Sequence, residues 1–184
     1  VATEQIEPES FEGMIGRLGA VRAVDRGRIG LIGIGPGAEK ALLIAAHHSV
    51  VRAVVAVAPG ARALIPVERI AGPILLVAGA DDSRWPAVEI ADTIIERLAA
   101  HRFAHGVSLH SYGNAGHWLF GPPMDRSDPL ALRLSELGGS LEGNVTARKD
   151  SWRKTMNFLE DTLGAARAVS GPPVLVHDDW FLPR

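Results

Sequence analysis

Four short apolar runs, each ended by a turn and parted from the next by a helix-forming stretch, set the terms on which this chain can fold. They are Arg28–Ile34 (RIGLIGI), Val50–Ala58 (VVRAVVAVA), Ile74–Ala78 (ILLVA) and Val107–Tyr112. Runs that are apolar rather than alternating belong to strands covered on both faces, and helices between them supply the crossovers of a parallel sheet. The expected helices are Pro8–Val24, weakened by Gly13, Gly16 and Gly19, then Pro36–His48, Pro86–His101 and Arg148–Leu163. Val88, Ala91, Ile95 and Leu98 share a face of the third; Trp152, Met156, Leu159 and Leu163 recur at helical spacing in the last, as a core stripe. The polar stretch Asp125–Asn144 reads as a long loop or a broken helix. A Pro-rich tail follows, in which Val174–Val176 is a candidate edge strand. The expected fold class is α/β, a mostly parallel sheet with helices on both faces, over residues 1–165, with 166–184 as a C-terminal tail.

Composition narrows the function classes. Hydrophobic residues make up 47% of the 184 and charged residues 22%, the balance of one globular domain. A net charge of −2 gives no reason to expect a nucleic-acid or anionic-membrane partner. The absence of cysteine excludes disulfides and a thiol nucleophile. No apolar run approaches the ~20 residues that span a bilayer, and no signal-peptide pattern opens the sequence. The expectation is a cytoplasmic protein without membrane contact, in which the sequon Asn144-Val145-Thr146 is a coincidence.

Between the first apolar run and the helix after it lies Gly33-Ile34-Gly35-Pro36-Gly37. A strand that turns sharply into a helix through G-x-S-x-G is a nucleophile elbow, with the central serine exposed at the turn. Here the central residue is Gly35, which has no side chain to attack with. The following backbone N–H, which would help bind an oxyanion, is absent because the residue is Pro36. Glycine accepts the strained positive φ of the elbow, and proline suits the first helical position. The turn is sound in shape and lacks two chemical parts.

Functional groups in such a sheet gather beyond the carboxyl ends of its strands. Three of these ends carry Gly35, the pair Asp81-Asp82, and His117, in the order elbow, acid, histidine. Asp82, deeper in its turn, is the better acid to orient the imidazole, and Asp81 is left to cap the turn or the next helix. Trp85 and Trp118 are the candidates for the nearby wall. Ser83, Ser111 and Ser140 do not substitute for the missing serine: Ser140 follows no strand, Ser111 is inside one, and Ser83 follows the acid. His47, His48, His101, His105 and His110 form no ligand-like group, and His177-Asp178-Asp179 reads as polar tail.

The combination resembles the C-terminal catalytic domain shared by acyl-CoA thioesterases and bile acid-CoA:amino acid N-acyltransferases, within the α/β-hydrolase superfamily. That family's G-I-S-K-G-A-E is matched by Gly33 to Glu39, its G-x-D-D and following Trp by Gly79 to Asp82 and Trp85, and its S-Y-x-x-A-G-H before Pro-Pro by Ser111 to His117 and Pro122-Pro123. A late A-x-x-D-x-W-K is similar to Ala147 to Trp152. The resemblance implies acyl transfer from a thioester through an acyl-enzyme, with Asp82 and His117 in the acid and base positions and Gly35 in the nucleophile position. It also implies strands ahead of the elbow strand. The expected sheet is therefore a truncated α/β-hydrolase fold whose 28–34 strand is an edge, answered by a homodimer or a complementing protein chain.

Three functions compete. The favoured one is a non-catalytic, ligand-binding domain that takes an acyl thioester or another small acyl ligand, without cofactor or metal. The alternative is an enzyme whose Asp82–His117 dyad acts as general base without acylating the protein. The remote one is dinucleotide binding through Gly33-Ile34-Gly35-Pro36-Gly37-Ala38, against which stands the lack of an acid in 53–63, where a ribose partner belongs.

Overall fold

The computed structural model describes residues 8–22, 24–60 and 65–164. The tail with Val174–Val176 and His177-Asp178-Asp179 lies outside them. Helix α1 (Pro8–Gly19) precedes β1 (Ile29–Ile34), α2 (Pro36–His47), β2 (Val51–Val57), β3 (Ile74–Gly79), α3 (Ala87–Ala100), β4 (Val107–Tyr112), α4 (Pro129–Leu134) and α5 (Leu141–Leu163). The four strands form one parallel sheet in the order β1-β2-β3-β4. All four expected strands are present, with ends within a residue or two of the apolar runs.

Strand alternation sorts the core into two layers. Val54 and Ala56 of β2 and Ile74 and Leu76 of β3 pack with Leu42, Ala45, Ala91 and Leu98 of α2 and α3. Val55, Val57, Leu75 and Val77 face the other way, toward Ala147 of α5. Each fully buried Val or Leu contributes about 1.5–3 kcal/mol, so the two central strands carry much of the stability. On the first layer Arg97 of α3 reaches the 3-10 turn Val67–Arg69 and makes a two-pronged bond to Glu68, at 2.7 and 2.9 Å.

That pair makes a pH prediction. The bond from Arg97 holds the Glu68 carboxyl down to about 2, from an ordinary 4.5. A depressed acid stabilises the fold above its unfolded value and loses that contribution as pH falls through the folded one. The parent should therefore melt higher than Glu68→Gln at neutral pH, and the gap should close between pH 4.5 and about 2. A gap that persisted at the acid end of a melting series would contradict the assignment.

Helix α1 stops at Gly19 rather than Val24, and two further expectations change. Helix α5 starts at Leu141, seven residues before the expected Arg148, because the Ser140 side chain caps it by accepting from Gly143 N–H at 3.0 Å. Its fully buried face is Asn144, Ala147, Arg148, Ser151 and Thr155; Trp152, Met156, Leu159 and Leu163 flank it, partly buried. A periodic apolar stripe fitted the helix yet marked the shoulder of its contact rather than the centre. The stretch 125–144 resolves as a broken helix: α4, a 3-10 turn at Ser135–Leu137, then Gly138-Gly139. The β1 strand pairs only with β2 among the described residues, and Ile32 at this edge is 41% exposed.

Candidate functional site

Because the strands are parallel, β1, β3 and β4 deliver Gly35, Asp82 and His117 to one edge of the sheet. At the first, Gly33 lets the helix start close to the strand: a Cβ there would stand 2.1 Å from the Gly37 carbonyl oxygen. Gly35 then turns the chain with φ 57° and ψ −123°, anchored by its N–H to Val57 O at 2.9 Å. Pro36 opens α2. The positive φ is the elbow strain that a side-chain-bearing residue tolerates only under constraint. At Gly35 the strain is absent because the Cβ is absent.

After β3 the chain forms an Asx turn. Asp82 Oδ1 accepts from Arg84 N–H at 2.8 Å and Trp85 N–H at 3.4 Å, leaving Oδ2 to His117 Nδ1 at 2.7 Å. Asp82 thus takes the capping that the sequence offered to Asp81, and orients the imidazole with its other oxygen. Asp81 is exposed and is tied through its backbone N–H to Ala115 O. The Asp82 and His117 side chains are 1% and 7% exposed. A carboxylate can only accept, so Nδ1 carries a proton, and Nε2 is the ring nitrogen that faces the elbow. A Cβ built on Gly35 would lie 3.0 Å from Nε2.

Trp85 lines this gap. The Trp85 indole meets the imidazole edge-on, centroids 4.8 Å apart, and lies 3.6 Å from the Gly35 Cβ position. Its Nε1 donates to Ala58 O at 3.0 Å, and Ala58 is one of the non-glycine residues with a positive φ, 47°. Gly60 leaves room for the ring, since a Cβ there would come within 2.6 Å of it. Trp118 is partly buried beside His117 in the chain.

Gly138 and Gly139 stitch the acid and histidine turns together through single bridges to Asp82 and Ala115. Ser83 N–H and His117 N–H both donate to Leu137 O. The sequence reading missed this seam, and it missed Asn144, Arg148 and Ser151 behind the histidine loop. A Gly-Gly pair in a polar stretch and a polar stripe on a helix both look like solvent-facing structure.

The arrangement is an acid–imidazole pair aimed at a strand-to-helix elbow. The family described as "BAAT / Acyl-CoA thioester hydrolase C terminal" matches residues 56–165. The chain belongs to this family. The match takes in Asp82, Trp85, His117 and α5; the elbow lies before it. Peroxisomal succinyl-coenzyme A thioesterase of Mus musculus is 32% identical over 110 residues, 57% of this chain and 26% of that protein. Acyl-coenzyme A amino acid N-acyltransferase 1 of Mus musculus is 30% identical over 105 residues, 54% of this chain and 25% of that protein. The matched segments thus span about a quarter of the length of these relatives. A dienelactone hydrolase-like promiscuous phosphotriesterase from metagenomic libraries superposes with a TM-score of 0.65 at 22% identity, over 84% of this chain and 61% of that one. This likeness concerns the fold, which is that of an α/β hydrolase. No helix among the described residues is long and apolar enough to cross a membrane.

Proposed function

We propose that this domain binds an acyl thioester or another small acyl ligand at the elbow and forms no acyl-enzyme. The observation that carries the reading is the Gly35 Cα facing His117 Nε2, where an acyl-transfer site would place its nucleophile. Pro36 removes an oxyanion donor at the same point. What remains is the imidazole Nε2, an aromatic wall at Trp85, and a gap that a serine side chain would have filled. Titrating an acyl-CoA into the protein should shift the His117 and Trp85 signals saturably, while a serine-directed phosphonate leaves the protein mass unchanged. Stoichiometric phosphonate adduct formation in the unmodified chain would sink this reading.

The retained 2.7 Å Asp82–His117 bond favours a second reading, in which the dyad acts as general base on water against a bound acyl group. The same protein separates the two: slow thioester hydrolysis without a burst, lost in His117→Ala, supports the dyad. Hydrolysis retained in that variant would exclude it.

The β1 edge belongs to the same proposal. Its free side, which pairs with no strand among the described residues, and exposed Ile32 invite strand addition by a second copy or a complementing chain. Sedimentation at micromolar concentration should show association that Ile32→Lys weakens; a monomer with this edge uncovered would count against it.

A further inference from the structure

Helix α5 turns buried polar side chains, besides apolar ones such as Ala147 and Trp152, toward the loop that carries His117. Asn144, Arg148 and Ser151 stand at i, i+4 and i+7, so they share one face, and all three are buried. Asn144 uses both ends of its amide: Oδ1 accepts from Gly116 N–H at 2.8 Å and Nδ2 donates to Gly138 O at 2.9 Å. Arg148 donates from Nε to Pro122 O at 2.9 Å and from Nη1 to Phe120 O. Ser151 Oγ donates to Leu119 O. The loop closes on the guanidinium so tightly that Gly121, with φ 120°, has no room for a Cβ, which would sit 2.0 Å from Arg148 Nη2.

A helix that only had to cover the sheet would not bury these groups. Burial pushes the Arg148 guanidinium below the ordinary arginine range, with Asp128 acting in the opposite sense. Its direct partners here are neutral carbonyls, which offset the desolvation of a cation less well than a carboxylate does. Ala147, next to it, shows what simple packing on this face requires. The carbonyls that Asn144, Arg148 and Ser151 satisfy, and the one N–H, belong to residues just before and just after His117, or to the glycine seam against it.

We infer that Asn144, Arg148 and Ser151 are positioning residues that fix the 116–122 loop and thereby hold His117 Nε2 against the Gly35 elbow. The role rests on the proposed ligand-binding site, since the imidazole can meet an acyl group there only if the loop keeps it in place. None of the three touches Gly35 or the elbow itself.

The test reads the imidazole directly. Nuclear magnetic resonance on the full chain should show the His117 Nδ1–H, bonded to Asp82, as a protected downfield proton. In Arg148→Ala that signal should broaden away. Exchange of the 116–121 amides should rise roughly tenfold or more, as expected when a charge-assisted bond is lost. Arg148→Lys should recover part of the protection. Leu159→Ala, which loosens α5 under β1 near Gly30, should lower the melting temperature and leave the Nδ1–H untouched. If Arg148→Ala does not fold, Ser151→Ala gives the same readout with a smaller change. An unchanged Nδ1–H and unchanged exchange in a folded Arg148 or Ser151 variant overturns the inference. Failure of the parent to bind an acyl-CoA would remove the binding proposal and leave this result standing.

Discussion

Phosphonate labelling of the elbow is expected to appear when Gly35→Ser and Pro36→Lys are combined, and to remain slow with Gly35→Ser alone. A serine placed here inherits φ 57° and ψ −123°, a strain of about 1–3 kcal/mol for a residue with a Cβ. Its Cβ would be 3.0 Å from His117 Nε2, so the imidazole must give by a few tenths of an ångström. Asp82 allows such a shift, because the ring is held at one nitrogen and bears edge-on against Trp85. The single variant then has a nucleophile and a base without the N–H at position 36. One oxyanion donor is worth roughly 10²–10³ in rate, which is the gain expected from the second substitution. Mass spectrometry of the adduct over time measures both rates. His117→Ala in the double variant should abolish labelling. Equal rates for the single and double variants would show that the amide at position 36 does not face the site.

Strand positions were legible because β1 to β3 are nearly continuous apolar runs and because glycine or proline punctuates their ends. The elbow, acid and histidine were legible for a related reason: each follows a strand directly, so chain order maps onto position along one sheet edge. Asp82 is separable from Asp81 by depth in the turn, although its other oxygen also does the capping expected of its neighbour. The polar side of α5 was not legible. Asn144, Arg148 and Ser151 have the spacing of a solvated stripe, and only the loop folded over them makes them interior. The seam at Gly138-Gly139 was hidden for a different reason. Its role is a backbone approach between segments far apart in sequence, which leaves no periodicity to read.

The steepest loss of stability is expected from Gly33→Ala, two residues before the elbow. The added methyl would lie 2.1 Å from the Gly37 carbonyl oxygen, 2.4 Å from its carbon and 2.7 Å from Ala38 Cα. All three are backbone atoms in the first turn of α2, so no rotamer change relieves the contact. Either α2 moves away from β1 or β1 leaves its register with β2. The first breaks the packing of Ala38, Ala41 and Leu42, which are buried to 5% exposure or less. The second disturbs Gly35 N–H and its bond to Val57 O. Overpacking of this kind costs about 1–3 kcal/mol where side chains can yield, and here they cannot, so about 3 kcal/mol or more is expected. Gly37→Ala supplies the control four residues on. Nothing lies within 4 Å of its Cβ position, and it occupies the first turn of a helix, where alanine is preferred by up to about 1 kcal/mol. Urea unfolding should therefore place Gly33→Ala well below the parent and Gly37→Ala level with it or above. Similar midpoints for the two variants would mean that the strand and helix do not meet as closely as the elbow requires, and with that the facing of Gly35 and His117 would fall too.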